Sequence, residues 1–261
     1  MTRLEGKIAI VTGSAGGIGR AISLKLASAG AIVVCGDIAE TAKGDTVSTH
    51  ETITQQGGRA EFVKVDVADA AQVENIVQHA VQKFGRLDIM INNAGVASEA
   101  ASPKPIWDFD QSAWDRDIAV NSTGVFLGCK YASAQMIKQE PRATGDRGWI
   151  LNLASIMGLN GAPGIIGYVA SKHAVMGITK AAALDCANFR VHVNALCPGY
   201  TDTASIADLN TEQLAVLERM HPFRGLGRPE DIANAALFLV SEENTWVSGV
   251  GLTVDGGYTA I

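Results

Sequence analysis

A tyrosine and a lysine four residues apart, Tyr168 and Lys172 in Gly-Tyr-Val-Ala-Ser-Lys, follow a serine, Ser155, that stands thirteen positions before the tyrosine. A phenol ordinarily keeps its proton to about pH 10, so it serves as a base near neutrality only beside a fixed positive charge. Lys172 is such a charge. If the segment from Gly167 to about Asn188 is helical, the i, i+4 spacing stacks phenol and ammonium on one face, one turn apart. Any solvated helix face can carry the same pair, so its meaning depends on the rest of the chain. That rest includes a glycine-rich stretch, Thr12-Gly13-Ser14-Ala15-Gly16-Gly17-Ile18-Gly19. A glycine turn for a phosphate together with a poised phenol points to hydride transfer coupled to proton exchange.

These residues need a scaffold. Short apolar, β-branched runs recur at Lys7–Val11, Ala31–Cys35, Ala60–Val65, Leu87–Ile91, Trp149–Leu153, Val191–Leu196 and Gly251–Val254, alternating with helix-like stretches such as Ile18–Ala29 and Ala70–Phe84. Runs that are apolar throughout belong to strands covered on both faces. The pattern therefore predicts an α/β fold: a single-domain, Rossmann-like, doubly wound parallel sheet of about seven strands with helices on both faces, spanning residues 1–261. Ligands of such sheets bind beyond the carboxyl ends of the strands. Gly13 to Gly19, Asp37, Asp66, Asn93 to Gly95, Ser155 and Pro198 to Thr203 all fall there. The polar, proline-bearing stretches Ala97–Pro105 and Gln139–Arg147 read as surface excursions.

Glycines at the first strand-to-helix junction let backbone N–H groups approach a phosphate, and the helix start adds roughly half a positive charge. The spacing, Gly-x-x-x-Gly-x-Gly, differs from the usual Gly-x-Gly-x-x-Gly fingerprint, and a tight turn needing small residues is the plainer alternative. Asp37 ends the second strand about 20 residues later, where a carboxylate accepts hydrogen bonds from a ribose 2′-hydroxyl and repels a 2′-phosphate. It could also be a polar strand end or cap. No Arg or Lys stands between Ser14 and Gly17 or between Asp37 and Thr41. NAD rather than NADP is the expected cofactor.

The order Thr12-Gly13-x-x-x-Gly17-x-Gly19, Asn92-Asn93-Ala94-Gly95, Asn121, Ser155, Tyr168-x-x-x-Lys172, Pro198-Gly199 and Asp255-Gly256-Gly257 covers nearly the whole chain. It resembles the classical short-chain dehydrogenase/reductase family. The resemblance implies that Tyr168 exchanges the proton, Ser155 hydrogen-bonds the substrate oxygen, Lys172 lowers the tyrosine pKa and holds the nicotinamide ribose, and Asn121 supports a water relay from Lys172. It implies a cofactor cleft formed by Gly13, Gly17, Ile18, Gly19, Asp37, Asp66, Val67, Asn93, Ala94, Gly95, Tyr168, Lys172, Pro198, Gly199, Thr201 and Thr203. Within that set Asp66 and Val67 flank the adenine and Thr203 reaches the nicotinamide end. Taken singly, Ser155 could be a cap or turn residue, Asn121 a helix-packing amide, Asn93 a turn residue and Asp66 a helix cap.

Composition narrows the remaining classes. The chain has 261 residues, 47% hydrophobic and 18% charged, with a net charge of −6. It lacks the basic cluster that a nucleic-acid partner requires. With no signal-peptide apolar region at its start, and no apolar run near the roughly 18–20 residues of a membrane span, a cytoplasmic protein without a membrane partner is expected. Cys35, Cys129, Cys186 and Cys197 are scattered and read as buried free thiols; neither they nor His50, His79, His173, His192 and His221 have metal spacing. Between Ser155 and Tyr168 there is no charged residue. If this loop lines the pocket, the partner is a small, neutral, fairly apolar secondary alcohol or ketone, alicyclic ones among the candidates, under a lid at Thr203–Pro222. Stretches near Ala113–Ile137 and Ile165–Asn188 carry apolar residues on more than one face, and the resemblance implies a homotetramer. Rivals are a 3-oxoacyl carrier-protein reductase, which usually prefers NADPH, and a non-catalytic NAD-sensing module.

Overall fold

Strands β1 (Ile8–Thr12), β2 (Ile32–Asp37), β3 (Arg59–Lys64), β4 (Ile89–Asn92), β5 (Gly148–Leu153), β6 (Val191–Pro198) and β7 (Gly251–Val254) form one parallel sheet in the order β3-β2-β1-β4-β5-β6-β7. They come from a computed structural model that describes residues 3–100, 102–206 and 210–260. Helices α1 (Gly17–Ser28), α2 (Thr49–Gln55), α3 (Ala70–Phe84), α4 (Gln111–Asp117), α5 (Gly124–Met136), α6 (Ile166–Cys186), α7 (Thr211–Arg219) and α8 (Pro229–Leu239) complete the succession. The Rossmann-like, doubly wound α/β sheet expected from the apolar runs is present, and every expected strand lies within two residues of its predicted bounds. Helix α8 was not foreseen.

Both faces of the sheet are buried, which is why its strands read as unbroken apolar runs. Along β1, Ile8 and Ile10 enter the core shared with Val73 and Ile76 of α3, Val125 of α5 and Val175 of α6; Ala9 and Val11 enter the opposite core with Ile22 and Leu26 of α1 and Ile232 of α8. The order of strands grows outward in one direction from β1 to β3 and in the other from β4 to β7. The two crossovers therefore leave in opposite senses between β1 and β4, and a crevice opens at their carboxyl ends. The register Ile10↔Met90 and Val11↔Ile91 brings Thr12 and Asn93 to that crevice together.

Buried polar side chains tie the central strands to their helices. Asn92 on β4 donates to Asn152 Oδ1 on β5 at 2.8 Å, and Asn152 donates to Thr179 Oγ1 on α6 at 2.9 Å. Each amide is thus satisfied, so the chain of bonds fixes α6 against β5 without leaving an orphaned group. At the opposite end of the sheet Asp88 accepts from Arg86 Nε at 2.7 Å, Arg142 Nε at 2.9 Å and the N–H of Ile8 at 2.9 Å. Arg142 belongs to a stretch read as a surface excursion, yet its side chain locks that stretch onto the edge between β1 and β4.

Candidate active site

The turn after β1 places Gly13 (φ +65°) and Gly17 (φ +52°) in the left-handed region that favours glycine. Gly19 is required for a different reason: a Cβ there would lie 2.0 Å from the carbonyl oxygen of Gly13, so α1 can leave the turn this steeply only without a side chain. Helix α1 carries neither a side-chain cap on its N-cap residue Gly16 nor an acidic residue in its first turn. Its positive end stays available to a phosphate, which fits a dinucleotide. Ile18 sends its side chain into the core beneath α1, leaving its backbone for the crevice. Asn93 pins the turn in place, donating to the carbonyls of Thr12 at 2.8 Å and Gly13 at 3.0 Å, while Thr12 Oγ1 accepts from the N–H groups of Asn93 and Ala94 at 3.0 and 3.1 Å.

Asp37 ends β2 beside the same turn, where its Oδ2 accepts from the N–H of Ala15 at 2.9 Å. Asp66 is exposed and its Oδ1 accepts from Ala68 N at 3.0 Å, a turn-capping bond. Val67 is buried, and α5 starts against it: a Cβ on Gly124 would come within 2.9 Å of Val67 Cγ2. On the far wall Pro198 closes β6, Gly199 donates to Val254 O at 3.0 Å, and Thr201 Oγ1 donates to Gly199 O at 3.1 Å. Thr203 Cγ2 lies 3.5 Å from the position a Cβ would take on Gly17, which brings the segment after β6 back over the glycine turn. Of the stretch read as a lid, residues 207–209 lie outside the described residues. Its other end is held by His221, whose Nδ1–H donates to Leu217 O at 2.7 Å while Nε2 accepts from Tyr200 N at 3.1 Å.

The strand ends bring the candidate reacting groups together. Ser155 follows β5, where its Oγ accepts from Met157 N at 3.1 Å and caps a single 3-10 turn, Ile156–Gly158. Tyr168 and Lys172 stand in the first two turns of α6. The Ser155 hydroxyl hydrogen-bonds the phenol, and the Lys172 ammonium sits 5.5 Å from the tyrosine ring centroid while donating to Leu153 O at 2.8 Å. A Cβ on Gly95 would come within 3.2 Å of Asn121 Oδ1 and 3.5 Å of Lys172 Nζ, so both groups face the space that this glycine leaves open. Asn121 is fully buried. It accepts from Val96 N and donates to Val96 O, both at 2.8 Å, and donates to Ser171 Oγ at 2.9 Å.

Burial governs the proton affinities here. It pushes the Tyr168 phenol above its ordinary value, against the opposing pull of the Ser155 hydrogen bond, and Tyr200, Asp117 and Glu99 add to the rise. Burial likewise pulls the Lys172 ammonium down to about 8, with Cys197 and Asp117 acting against it. In a desolvated cleft each group resists its charged form before the two can help each other.

Three features here were not legible in the residues. Asn121 lies in a π-helical turn, Ile118–Thr123, inserted between α4 and α5 where an unbroken helix was expected. Such insertions recur where a side chain must be re-aimed. Ser171, also overlooked, joins that turn to α6. Buried Glu99 comes from a stretch assigned to the surface, and its Oε1 accepts from Tyr168 N at 2.8 Å, while buried Asp117 ends α4 beside it. The available signal was Asp117 itself, an acid just before the apolar run Ile-Ala-Val that leads to Asn121.

Residues 13–259 match the family model described as enoyl-(acyl carrier protein) reductase. The chain is 39% identical over 255 residues to a cis-4-hydroxycyclohexanecarboxylate dehydrogenase of Sinomonas cyclohexanicum, covering 98% of this chain and 97% of that one. It is 36% identical to a cyclohexanol dehydrogenase of an Acinetobacter species, over 99% and 97% of the two chains, and 35% identical to a 3-oxoacyl-(acyl-carrier-protein) reductase of Thermotoga maritima, over 98% of each. Among solved structures, a short-chain type dehydrogenase/reductase from Mycobacterium marinum superposes with a TM-score of 0.89 at 31% identity, over 100% of this chain and 98% of that one. A putative 2-deoxy-D-gluconate 3-dehydrogenase from Agrobacterium tumefaciens, with NADP bound, superposes with a TM-score of 0.87 at 32% identity, over 100% and 99%. With the glycine turn, the Asn93 pin and the Ser155–Tyr168–Lys172 cluster arranged on this sheet, the chain belongs to the classical short-chain dehydrogenase/reductase family of oxidoreductases.

Proposed function

We propose that this oxidoreductase interconverts a neutral, alicyclic secondary alcohol and its ketone, with NAD as the cofactor. The observation that carries the reading is the convergence of Ser155, Tyr168 and Lys172 at the end of β5 and the start of α6, beside the crevice between β1 and β4. Bound NAD supplies the hydride acceptor for oxidation. Tyr168 Oη takes the hydroxyl proton as the C–H bond breaks, and in reduction it returns that proton to the forming alkoxide. Ser155 Oγ hydrogen-bonds the same substrate oxygen and holds it against the phenol. Lys172, still protonated below about pH 8, stabilises the phenolate and reaches the nicotinamide ribose. Asn121 keeps the turn at Val96 and helix α6 in register, and the spare lone pair of its Oδ1 is available to a water that relays the proton from Lys172. The cofactor is held by Gly13, Gly17, Ile18 and Gly19 at the diphosphate, Asp37 at the adenosine ribose, Asp66 and Val67 at the adenine, and Asn93, Ala94 and Gly95 along the cleft. Pro198, Gly199, Thr201 and Thr203 line its nicotinamide side, and residues 203–222 act as a lid.

The substrate class rests on the uncharged segment between Ser155 and Tyr168 and on the alicyclic alcohols named for two relatives. No cation on that segment would pair with a carboxylate, so a neutral ring alcohol, as named for the Acinetobacter relative, fits better than a ring acid, as named for the Sinomonas relative, which supports the ring but not the neutrality. A panel of cycloalkanols and their ketones, followed by NADH absorbance, is expected to give turnover with NAD. Silence across the panel would return the protein to the class of non-catalytic NAD-sensing modules. Faster NADPH-linked reduction of 3-oxoacyl carrier-protein thioesters would favour the reductase reading that the Thermotoga relative supports.

For NAD over NADP the support is Asp37, a carboxylate at the end of β2 already oriented by Ala15 N. A hydrogen bond to a charged group contributes roughly 1.5–3 kcal/mol, so Asp37→Ala is expected to lower kcat/KM with NAD about 10- to 100-fold while use of NADP rises. Equal efficiency of the two cofactors in the unaltered protein would sink the assignment. A homotetramer is supported by Phe126 on α5 and Leu184 on α6, which stand exposed in the single chain, Leu184 at 78%.

A further inference from the structure

We propose that Glu99 and Asp117 form a buried carboxyl pair holding one proton between them, and that the pair positions Tyr168 by capping the N-terminus of α6 with a single negative charge. The inference rests on the acid/base reading of Tyr168. Four observations carry it. Glu99 Oε1 accepts from Tyr168 N at 2.8 Å, an N–H of the first helical turn that has no partner within α6. Asp117 Oδ1 accepts from Ser98 N at 3.0 Å. The remaining oxygens, Glu99 Oε2 and Asp117 Oδ2, are both shielded from solvent and neither has a donor among the described residues. Both carboxyls also converge on one point: a Cβ on Gly167 would meet Asp117 Oδ2 at 3.2 Å and Glu99 Oε1 at 3.5 Å.

Two ionised carboxylates in contact and out of water would repel each other, with two lone-pair-bearing oxygens left unsatisfied. One proton removes both costs, because the protonated oxygen donates to the other. Consistent with this, burial and the Asp117 side chain both push the Glu99 carboxyl above its ordinary range. The groups that face the pair and the phenol are Lys172 on α6, Ser155 after β5 and Tyr200 after β6, together with Tyr168 itself. Both carboxyls raise the proton affinity of Tyr168. A shared proton halves that formal charge, so it keeps the phenol closer to the range in which it can act as a base, while the cap fixes the backbone from which the phenol projects.

Glu99→Gln and Asp117→Asn are near-isosteric, and each leaves one carboxylate accepting from one amide, so each preserves the charge of the shared-proton pair. In infrared difference spectra near neutral pH, the unaltered protein is expected to show the carbonyl stretch of a protonated carboxylic acid, and either variant is expected to lose it. Absence of that band in the unaltered protein overturns the shared proton. In turnover, both amide variants are expected to retain kcat within about twofold, with the pH at half-maximal alcohol oxidation moved by less than about 0.3. Two independent carboxylates would instead shift it downward in each variant. Glu99→Ala removes the cap and is expected to lower kcat about 10- to 100-fold, the scale of a small misplacement of a reacting group, with the KM for NAD unchanged within about twofold. Full kcat in Glu99→Ala, or an equal loss in Glu99→Gln, overturns the positioning role. The infrared arm needs no substrate, so an inert protein that shows the acid band would refute the hydride-transfer reading and leave the pair standing.

Discussion

Tyr168→Phe is expected to reduce alcohol oxidation and ketone reduction by about 10³-fold or more while leaving the fold and NADH binding intact. The substitution removes one oxygen and keeps the ring, so the packing of the ammonium of Lys172 at 5.5 Å from the ring centroid persists. Ser155 loses its bond to the phenol but keeps the one it accepts from Met157 N at 3.1 Å. No buried group is stranded, which limits the effect on stability to about 1 kcal/mol. Turnover has no such reserve. General acid/base groups contribute roughly 10²–10⁴-fold, and no other titratable side chain shares hydrogen bonds with both the phenol and Ser155 among the described residues. Steady-state rates beside NADH fluorescence titration check the two halves separately. A phenylalanine variant with a tenth of normal activity would remove Tyr168 from the mechanism.

Lys172→Met is expected to abolish most activity and, at pH 7 without cofactor, to make the protein more stable. Lys172 is 4% exposed, and burial lowers its ammonium from 10.5 to about 8. Below pH 8 it is charged in both folded and unfolded chains, and the folded state carries the full penalty, about 3 kcal/mol from the displacement of the pKa. As the pH rises from about 8 toward 10.5 the folded chain gives up the proton while the unfolded chain still binds it, so folding is progressively favoured and the penalty disappears. Methionine fills the site without a charge, at the cost of leaving Leu153 O unpaired, about 1–3 kcal/mol. The net gain at pH 7 is about 1 kcal/mol, and the order of stability reverses by pH 10.5. Urea midpoints of the two proteins at several pH values provide the check. Subtraction cancels the buried thiols of Cys35, Cys129 and Cys197, which burial pushes up to between about 11 and 12 and which act in the opposite sense above pH 9. A methionine variant less stable than the parent at pH 7 would mean that the buried ammonium carries no such penalty. A cation kept where it weakens the fold is intelligible as the cost of supporting a phenolate.

Much of the framework was legible in the residues because it follows from local rules. Strand runs such as Trp149–Leu153 were recognisable from continuous apolar character, and Ala70–Phe84 from its helical period; both ended within a residue of expectation. The glycine turn could be read because left-handed dihedrals and steep helix exits restrict which residues are possible. Helix α2 is faint in the sequence because its buried face is short, with only Thr49 and Ile53 covered. The π-helical turn escaped for a different reason. Nothing in Ile-Ala-Val-Asn-Ser-Thr distinguishes it from an ordinary helix until Asn121 must meet Val96 and Ser171 together.

The order of elements, the crevice and the choice of Ser155, Tyr168 and Lys172 as candidates were written into the chain, since periodicity and the spacing of glycine, serine, tyrosine and lysine are properties of neighbours in sequence. Proton affinities were not. Whether Tyr168 and Lys172 resist or accept charge, and whether Glu99 from one loop finds Asp117 from a helix 18 positions later, depends on burial and through-space distance, and those exist only once α4, α6 and the loop after β4 have packed against one another.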